Sequence, residues 1–85
     1  MDRDTTASVV IKTIQSVARH YTDNITQATS LALDLGMDSV DLVELTNSLE
    51  EVFGTDIPVE ATVGVDTVAD VVEMLRHCHR SFHAN

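Results

Sequence analysis

Between Asp38 and Gly54 the chain places Leu42, Leu45, Leu49 and Val52 at i, i+3, i+7 and i+10, with Phe53 beside them. That spacing is the mark of an amphipathic helix from about Ser39 to Phe53, and it puts Asp41, Glu44, Ser48 and Glu51 on the opposite side. Gly54 stops the helix, because glycine readily takes the left-handed conformation needed at a helix C-terminus. An earlier segment repeats the period with Val10, Ile14, Val17 and Tyr21, and Asp4, Thr5 or Thr6 can cap its start. A later one carries Val68, Val71, Val72 and Leu75; Asp66 or Thr67 can cap it, with Asp70 three residues beyond Thr67 in the manner of a capping box. Arg76 and Arg80 stand near its end, where cations suit the helix dipole.

No alternating strand pattern and no internal repeat competes with these helices. Between the first two, residues 22–36 read as a long loop pinned to the core by Ile25, Leu31, Leu33 and Leu35. The lone proline, Pro58, starts a short third helix that Gly64 ends. The expected fold is all-α, a small four-helix bundle of three long helices and one short one. With 85 residues the chain forms one domain, 1–85, with a core over about 5–78 and a frayed tail over 79–85. A chain of this size buries about 60–65% of its unfolded surface and has no room for a deep catalytic cleft. Trp is absent and Phe and Tyr total three, so the core is aliphatic.

Charge is distributed more tellingly than its net value of −9 indicates. Residues 20–75 hold no Lys or Arg and twelve of the fourteen acids. Phosphate binding relies on cations, so this surface excludes nucleic acid and suits a basic protein partner. One cysteine, Cys78, precludes an internal disulfide and fits a reducing compartment. No apolar run reaches the roughly 18–20 residues that span a bilayer, and the start, "MDRDTTAS", is unlike a secretory signal. A cytoplasmic, monomeric protein without a membrane span is expected.

The stretch "DLGMDSVDLVEL", residues 34–45, sets Ser39 among Asp34, Asp38, Asp41 and Glu44 at the head of the second helix. Hydrolytic serines sit in a G-x-S-x-G elbow with a base in reach, and "GMDSV" lacks it. A calcium loop from Asp34 fails at Gly36, Ser39 and Leu45. His79 and His83, with Cys78 adjacent, could hold a transition metal, but no fourth ligand is evident; no catalytic residue and no metal site is expected. Ser39 can cap its helix, yet Asp38 can do so as well, leaving the Ser39 hydroxyl outward at the first helical position. An attached phosphodiester there would meet unpaired N–H groups and the positive end of the dipole. Phosphorylation is favoured by the same argument, so a non-enzymatic acidic helical adaptor regulated by phosphate on Ser39 stays open.

"DLGMDSVDLVEL" followed by "LEEVFGTDIP" resembles the acyl carrier proteins over nearly the whole chain. The resemblance implies that Ser39 receives 4′-phosphopantetheine from coenzyme A through a separate phosphopantetheinyl transferase. It implies a shuttle that is not itself an enzyme, holding acyl groups as thioesters on that arm. Asp38, Asp41, Glu44, Glu50, Glu51 and Asp56 match the acids that engage basic patches on acyl-transferring and chain-elongating enzymes. Such contacts are weak individually and salt-sensitive. Carriers of this kind also shelter the acyl chain between helices, and Leu45, Leu49, Val63, Val68 and Leu75 are the candidates to line that pocket. One departure stands out: Thr46, Asn47 and Ser48 occupy mid-helix positions that are mostly apolar in many carriers of fatty acid synthesis. A carrier of general fatty acid synthesis and a specialised one, for a polyketide, an unusual lipid, an aryl or peptidyl group or a dedicated acyl transfer, are both consistent with the chain.

Overall fold

The computed structural model describes residues 3–18 and 24–83, with side chains over 5–18 and 24–78. Its helices are α1 (Arg3–Val17), α2 (Ser39–Phe53) and α3 (Val68–His83), with one turn of 3-10 helix at Val59–Thr62. The fold is all-helical, and the expected short third helix is reduced to that single turn. Three of the residues around it, Val59, Thr62 and Val63, are β-branched and lose side-chain freedom in a helix. Pro58 starts the turn in an extended conformation, Val63 N–H returns to the Glu60 carbonyl, and Gly64 at φ 78° ends it. The Thr62 hydroxyl donates to the Val59 carbonyl at 2.7 Å, spanning the turn.

α1 begins before the residues expected to cap it, so Thr5 and Thr6 lie inside the helix. Its inner face is as the periodicity requires, with Val10 and Ile14 fully buried and Val17 packed on the core, while Tyr21 lies outside the described residues. α3 runs on to His83, past residue 78, where the sequence pattern ended the core.

The connection from α1 to α2 is more ordered than a pinned loop. Residues 31–35 form a helical turn whose start is closed reciprocally: Ser30 Oγ accepts from Leu33 N–H at 3.0 Å, and Asp34 Oδ2 accepts from Ser30 N–H at 2.7 Å. Gly36, at φ 64°, ends the turn. Leu31 and Leu35 fall four residues apart, on one face, and are buried; Leu33 is about 200° round the turn and is 87% exposed. Leu33 is therefore not the core anchor its hydrophobicity suggested.

This turn is tied to the start of α3. Leu31 N–H donates to the Asp66 carbonyl at 2.8 Å, Val68 N–H to Thr29 at 3.1 Å and Ala69 N–H to Gln27 at 2.9 Å. Ser30 Oγ donates to Asp66 Oδ1 at 2.8 Å beside the short antiparallel bridge between Ser30 and Thr67. The loop thus satisfies amides that α3 cannot satisfy itself. Thr67 Oγ1 accepts from Asp70 N–H, and Asp70 Oδ2 accepts from Thr67 N–H and Asp66 N–H, completing the expected capping box.

α1 packs against both α2 and α3, and the 3-10 turn packs against α3; α2 and α3 make no close backbone approach to each other among the described residues. A continuous aliphatic core fills the space around α1, and Met37 and Ile57 join it from the connecting segments. Val52, expected on the apolar face of α2, is exposed. Phe53 and the returning Ile57 take that end of the core, leaving nothing to cover the last turn.

The Thr67 and Asp66 amides that bind the Asp70 carboxylate, in that order of effect, hold its pKa below the ordinary 3.8. A lowered folded-state pKa contributes stability that is present above the unfolded value and lost as pH falls through the folded one. Asp70→Asn should therefore melt below the parent at neutral pH, and the gap should close as the pH is taken below 3.8. Thermal unfolding followed by circular dichroism over that range checks it.

Candidate functional site

Ser39 is the first residue of α2 and is exposed. Asp38 caps the helix in an extended conformation at φ −101°, accepting from Asp41 N–H at 3.0 Å, and the Asp41 carboxylate accepts from Asp38 N–H at 3.1 Å. The capping work is thus done by the neighbours, and the Ser39 hydroxyl is left for other chemistry. The N–H groups of Ser39 and Val40 have no carbonyl within the helix to reach, because a helix start always leaves its first donors over. They are donors suited to a phosphate, aided by the positive end of the helix dipole. Asp38 and Asp41 are like charges beside such a group, but both are engaged in the cap.

Alongside Ser39 a groove of about 310 Å³ opens where α2 and α3 stand apart. Ser39 itself lines it, and α2 continues the wall with Leu42, Val43, Leu45, Thr46, Asn47, Leu49 and Glu50. Leu31, Ile57, Val71 and Met74 supply most of the apolar remainder, with Val59, Thr62 and Val65 from the 3-10 turn and its exit.

Of the residues expected to line a pocket, Leu45 and Leu49 do so. Val63, Val68 and Leu75 do not line this groove. Val63 leaves the 3-10 turn pointing outward and is 80% exposed, whereas Val68 and Leu75 are sealed into the core. Val71 and Met74 take their place on the α3 side. They are three residues apart and so share a face, but Val68 and Val71 have the same spacing, so the sequence did not single them out.

The six acids fall into two groups. Asp38, Glu44, Glu51 and Asp56 are exposed, while Asp41 and Glu50 are half-buried. Glu50 is engaged within the fold, where its carboxylate accepts from Ile57 N–H at 2.8 Å and fixes the segment that returns after Gly54. Gly54 closes α2 at φ 62°, and its N–H returns to the Glu50 carbonyl. Val40 and Val43 are exposed on α2 beside Ser39 and the acids. The sequence pattern assigned them no role, although two valines one turn apart next to the serine could have marked an apolar strip.

Cys78 is half-buried on α3, and burial, with the nearby Glu50 carboxylate as a lesser cause, pushes its thiol pKa up. The described residues contain no group of three or more His, Cys, Asp or Glu able to hold a metal ion. The side chains of His79 and His83, the candidate metal ligands of the tail, lie outside the described set. No helix of the described residues is long and apolar enough to cross a membrane.

Comparison with known proteins agrees with this geometry. Residues 8–75 match the family model described as a phosphopantetheine attachment site. A solved structure from Mycobacterium tuberculosis, provisionally described as an acyl carrier protein, is similar at 31% identity and a TM-score of 0.75. The match covers 84% of this chain and 95% of that one. The chain belongs to the acyl carrier family, whose domains carry covalently attached 4′-phosphopantetheine.

The cap next to Ser39 can be tested apart from any modification. Asp38→Ala should lower the unfolding free energy by about 1 kcal/mol, the usual cost of losing an N-cap side chain. Ser39→Ala should leave it within about 0.5 kcal/mol, as for an exposed site away from structural features. Urea unfolding of the unmodified protein separates the two. A comparable loss in both variants would mean that Ser39 shares the capping work.

Proposed function

We propose that Ser39 is the attachment point of the phosphopantetheine arm and that the chain holds acyl groups for partner enzymes of lipid or polyketide assembly without catalysing a reaction itself. The observation that carries this reading is the exposed Ser39 hydroxyl, relieved of capping by Asp38, at a helix start that favours an anion and on the rim of an apolar groove. In the attachment step, brought about by a separate transferase, Ser39 Oγ loses its proton and bonds to the phosphorus that bears the pantetheine in coenzyme A. The bond from that phosphorus to the bridging oxygen breaks, and adenosine 3′,5′-bisphosphate leaves. Once in place the arm supplies a thiol that carries acyl groups as thioesters.

The chain's own residues support the arm in three ways. The Ser39 and Val40 amides face the phosphodiester. Leu45, Leu49, Val71 and Met74 offer apolar surface to an acyl chain, and each methylene sheltered there contributes about 0.8 kcal/mol. Asp38, Asp41, Glu44, Glu51 and Asp56, with Val40 and Val43 among them, form the face read by partners that have basic patches. Glu50 belongs to that set by sequence, but its bond to Ile57 turns its carboxylate toward the fold. Exposed ion pairs are worth about 0–1 kcal/mol each and are screened by salt, so the complexes form quickly and release readily.

The test of attachment is direct. Incubation with coenzyme A and a broad-specificity transferase should add the mass of one phosphopantetheinyl group, and Ser39→Ala should abolish the gain. A gain that survives the substitution, or none in the parent, removes the reading. Simple phosphate on Ser39 in native material would instead indicate a phosphorylated adaptor.

The modified protein then has two thiols of different character. The arm thiol should react with iodoacetamide well before Cys78 at neutral pH, because the raised pKa of Cys78 leaves less thiolate to react. Peptide mapping after timed quenching shows the order.

A further inference from the structure

The wall of the groove is not uniformly apolar, and apart from Thr62 of the 3-10 turn its polar positions follow the side of α2 that starts at Ser39. Seven and eight residues beyond the serine, Thr46 and Asn47 lie about 10–12 Å along the helix axis. Both line the groove, facing an apolar side that includes Leu31, Ile57, Val71 and Met74.

Their hydrogen-bonding capacity differs and is only partly used. Thr46 Oγ1 donates its proton to the Leu42 carbonyl at 2.8 Å, so toward the groove it offers only acceptor lone pairs. Asn47 is exposed, and its amide makes no hydrogen bond among the described residues, so both a donor and an acceptor stand open. Glu50, also on this wall, has its Oε2 on Ile57 N–H.

A saturated chain lying along this wall would take water from Thr46 and Asn47 and return no hydrogen bond, and desolvation without replacement is costly. A hydroxyl group on the chain can donate to Thr46 Oγ1 or Asn47 Oδ1, and a keto oxygen can accept from the Asn47 amide. The same oxygens against an all-aliphatic wall would be penalised. We infer that the groove is built for acyl groups bearing hydroxyl or keto oxygens along the chain, in preference to saturated chains of equal length. This inference rests on the reading of Ser39 as the attachment point.

The test loads the full chain with octanoyl, 3-hydroxyoctanoyl, 5-hydroxyoctanoyl and 5-oxooctanoyl arms from the corresponding coenzyme A thioesters. Mass spectrometry first confirms loading at Ser39. Hydroxylamine cleavage of each thioester is then timed against the same thioester free in solution, so that its intrinsic reactivity cancels. At least one oxygenated chain should be protected about 2- to 10-fold more than octanoyl, the worth of one net hydrogen bond.

Thr46→Val with Asn47→Leu should erase or invert that preference, and the milder Asn47→Ala should weaken it, with circular dichroism confirming folding of each. Protection of octanoyl equal to or above every oxygenated chain, or a preference that survives the double substitution, overturns the inference while leaving the carrier reading intact. Failure to load any arm at Ser39 removes both.

Discussion

The functional side of this molecule depends on α1 serving as a shared wall. α2 and α3 both lean on it and make no close backbone approach to each other among the described residues. The apolar faces of α2 and α3 are consequently more than α1 alone can cover, and the surplus becomes the groove that Ser39 borders. Two ties keep the sides apart at fixed positions. Ser30 and its neighbours hold the start of α3 to the loop, and Glu50 holds Ile57 to α2. Both involve carboxylates that the charge pattern alone would assign to the solvent.

Much of this architecture was legible in the residues. The three long periodic segments, the Gly54 stop and the Thr67–Asp70 capping box follow from rules that act within four residues of sequence, and local rules survive folding well. The family also was legible, because the serine motif and the acidic helix after it lie in one uninterrupted stretch. The context of Ser39 belongs to the same category: the choice between Asp38 and Ser39 as cap turned on adjacent residues, and Asp38 took it.

What escaped depended on relations between distant segments. Leu33 looked like an anchor until a turn over residues 31–35 rotated it outward. Val63, Val68 and Leu75 were the candidates for the groove, but the 3-10 turn sends Val63 outward, and the way α3 lies on α1 seals Val68 and Leu75 into the core while Val71 and Met74 reach the groove. Val52 carried the right spacing but sits beyond the reach of its neighbours. The Glu50 carboxylate was grouped with the partner-facing acids because nothing in its own segment foretells that Ile57, seven residues on, returns its N–H to it. The short third helix was placed correctly and shrank to one turn, since β-branched residues and Gly64 leave it no means of extension.

The division of labour between Asp38 and Ser39 has a consequence for the life history of the chain. A serine that capped its own helix would have its accepting oxygen drawn into a phosphodiester when modified, which weakens it as an acceptor and would alter the cap. Here the cap is closed by two carboxylates and two amides that the proposed attachment at Ser39 would not touch. With Ser39 as the proposed attachment point, the cap draws on nothing from the prosthetic group, and a transferase would meet it already formed. On that reading, chains that have not yet met coenzyme A would already hold the start of α2 in its finished form, a reserve that needs only the arm.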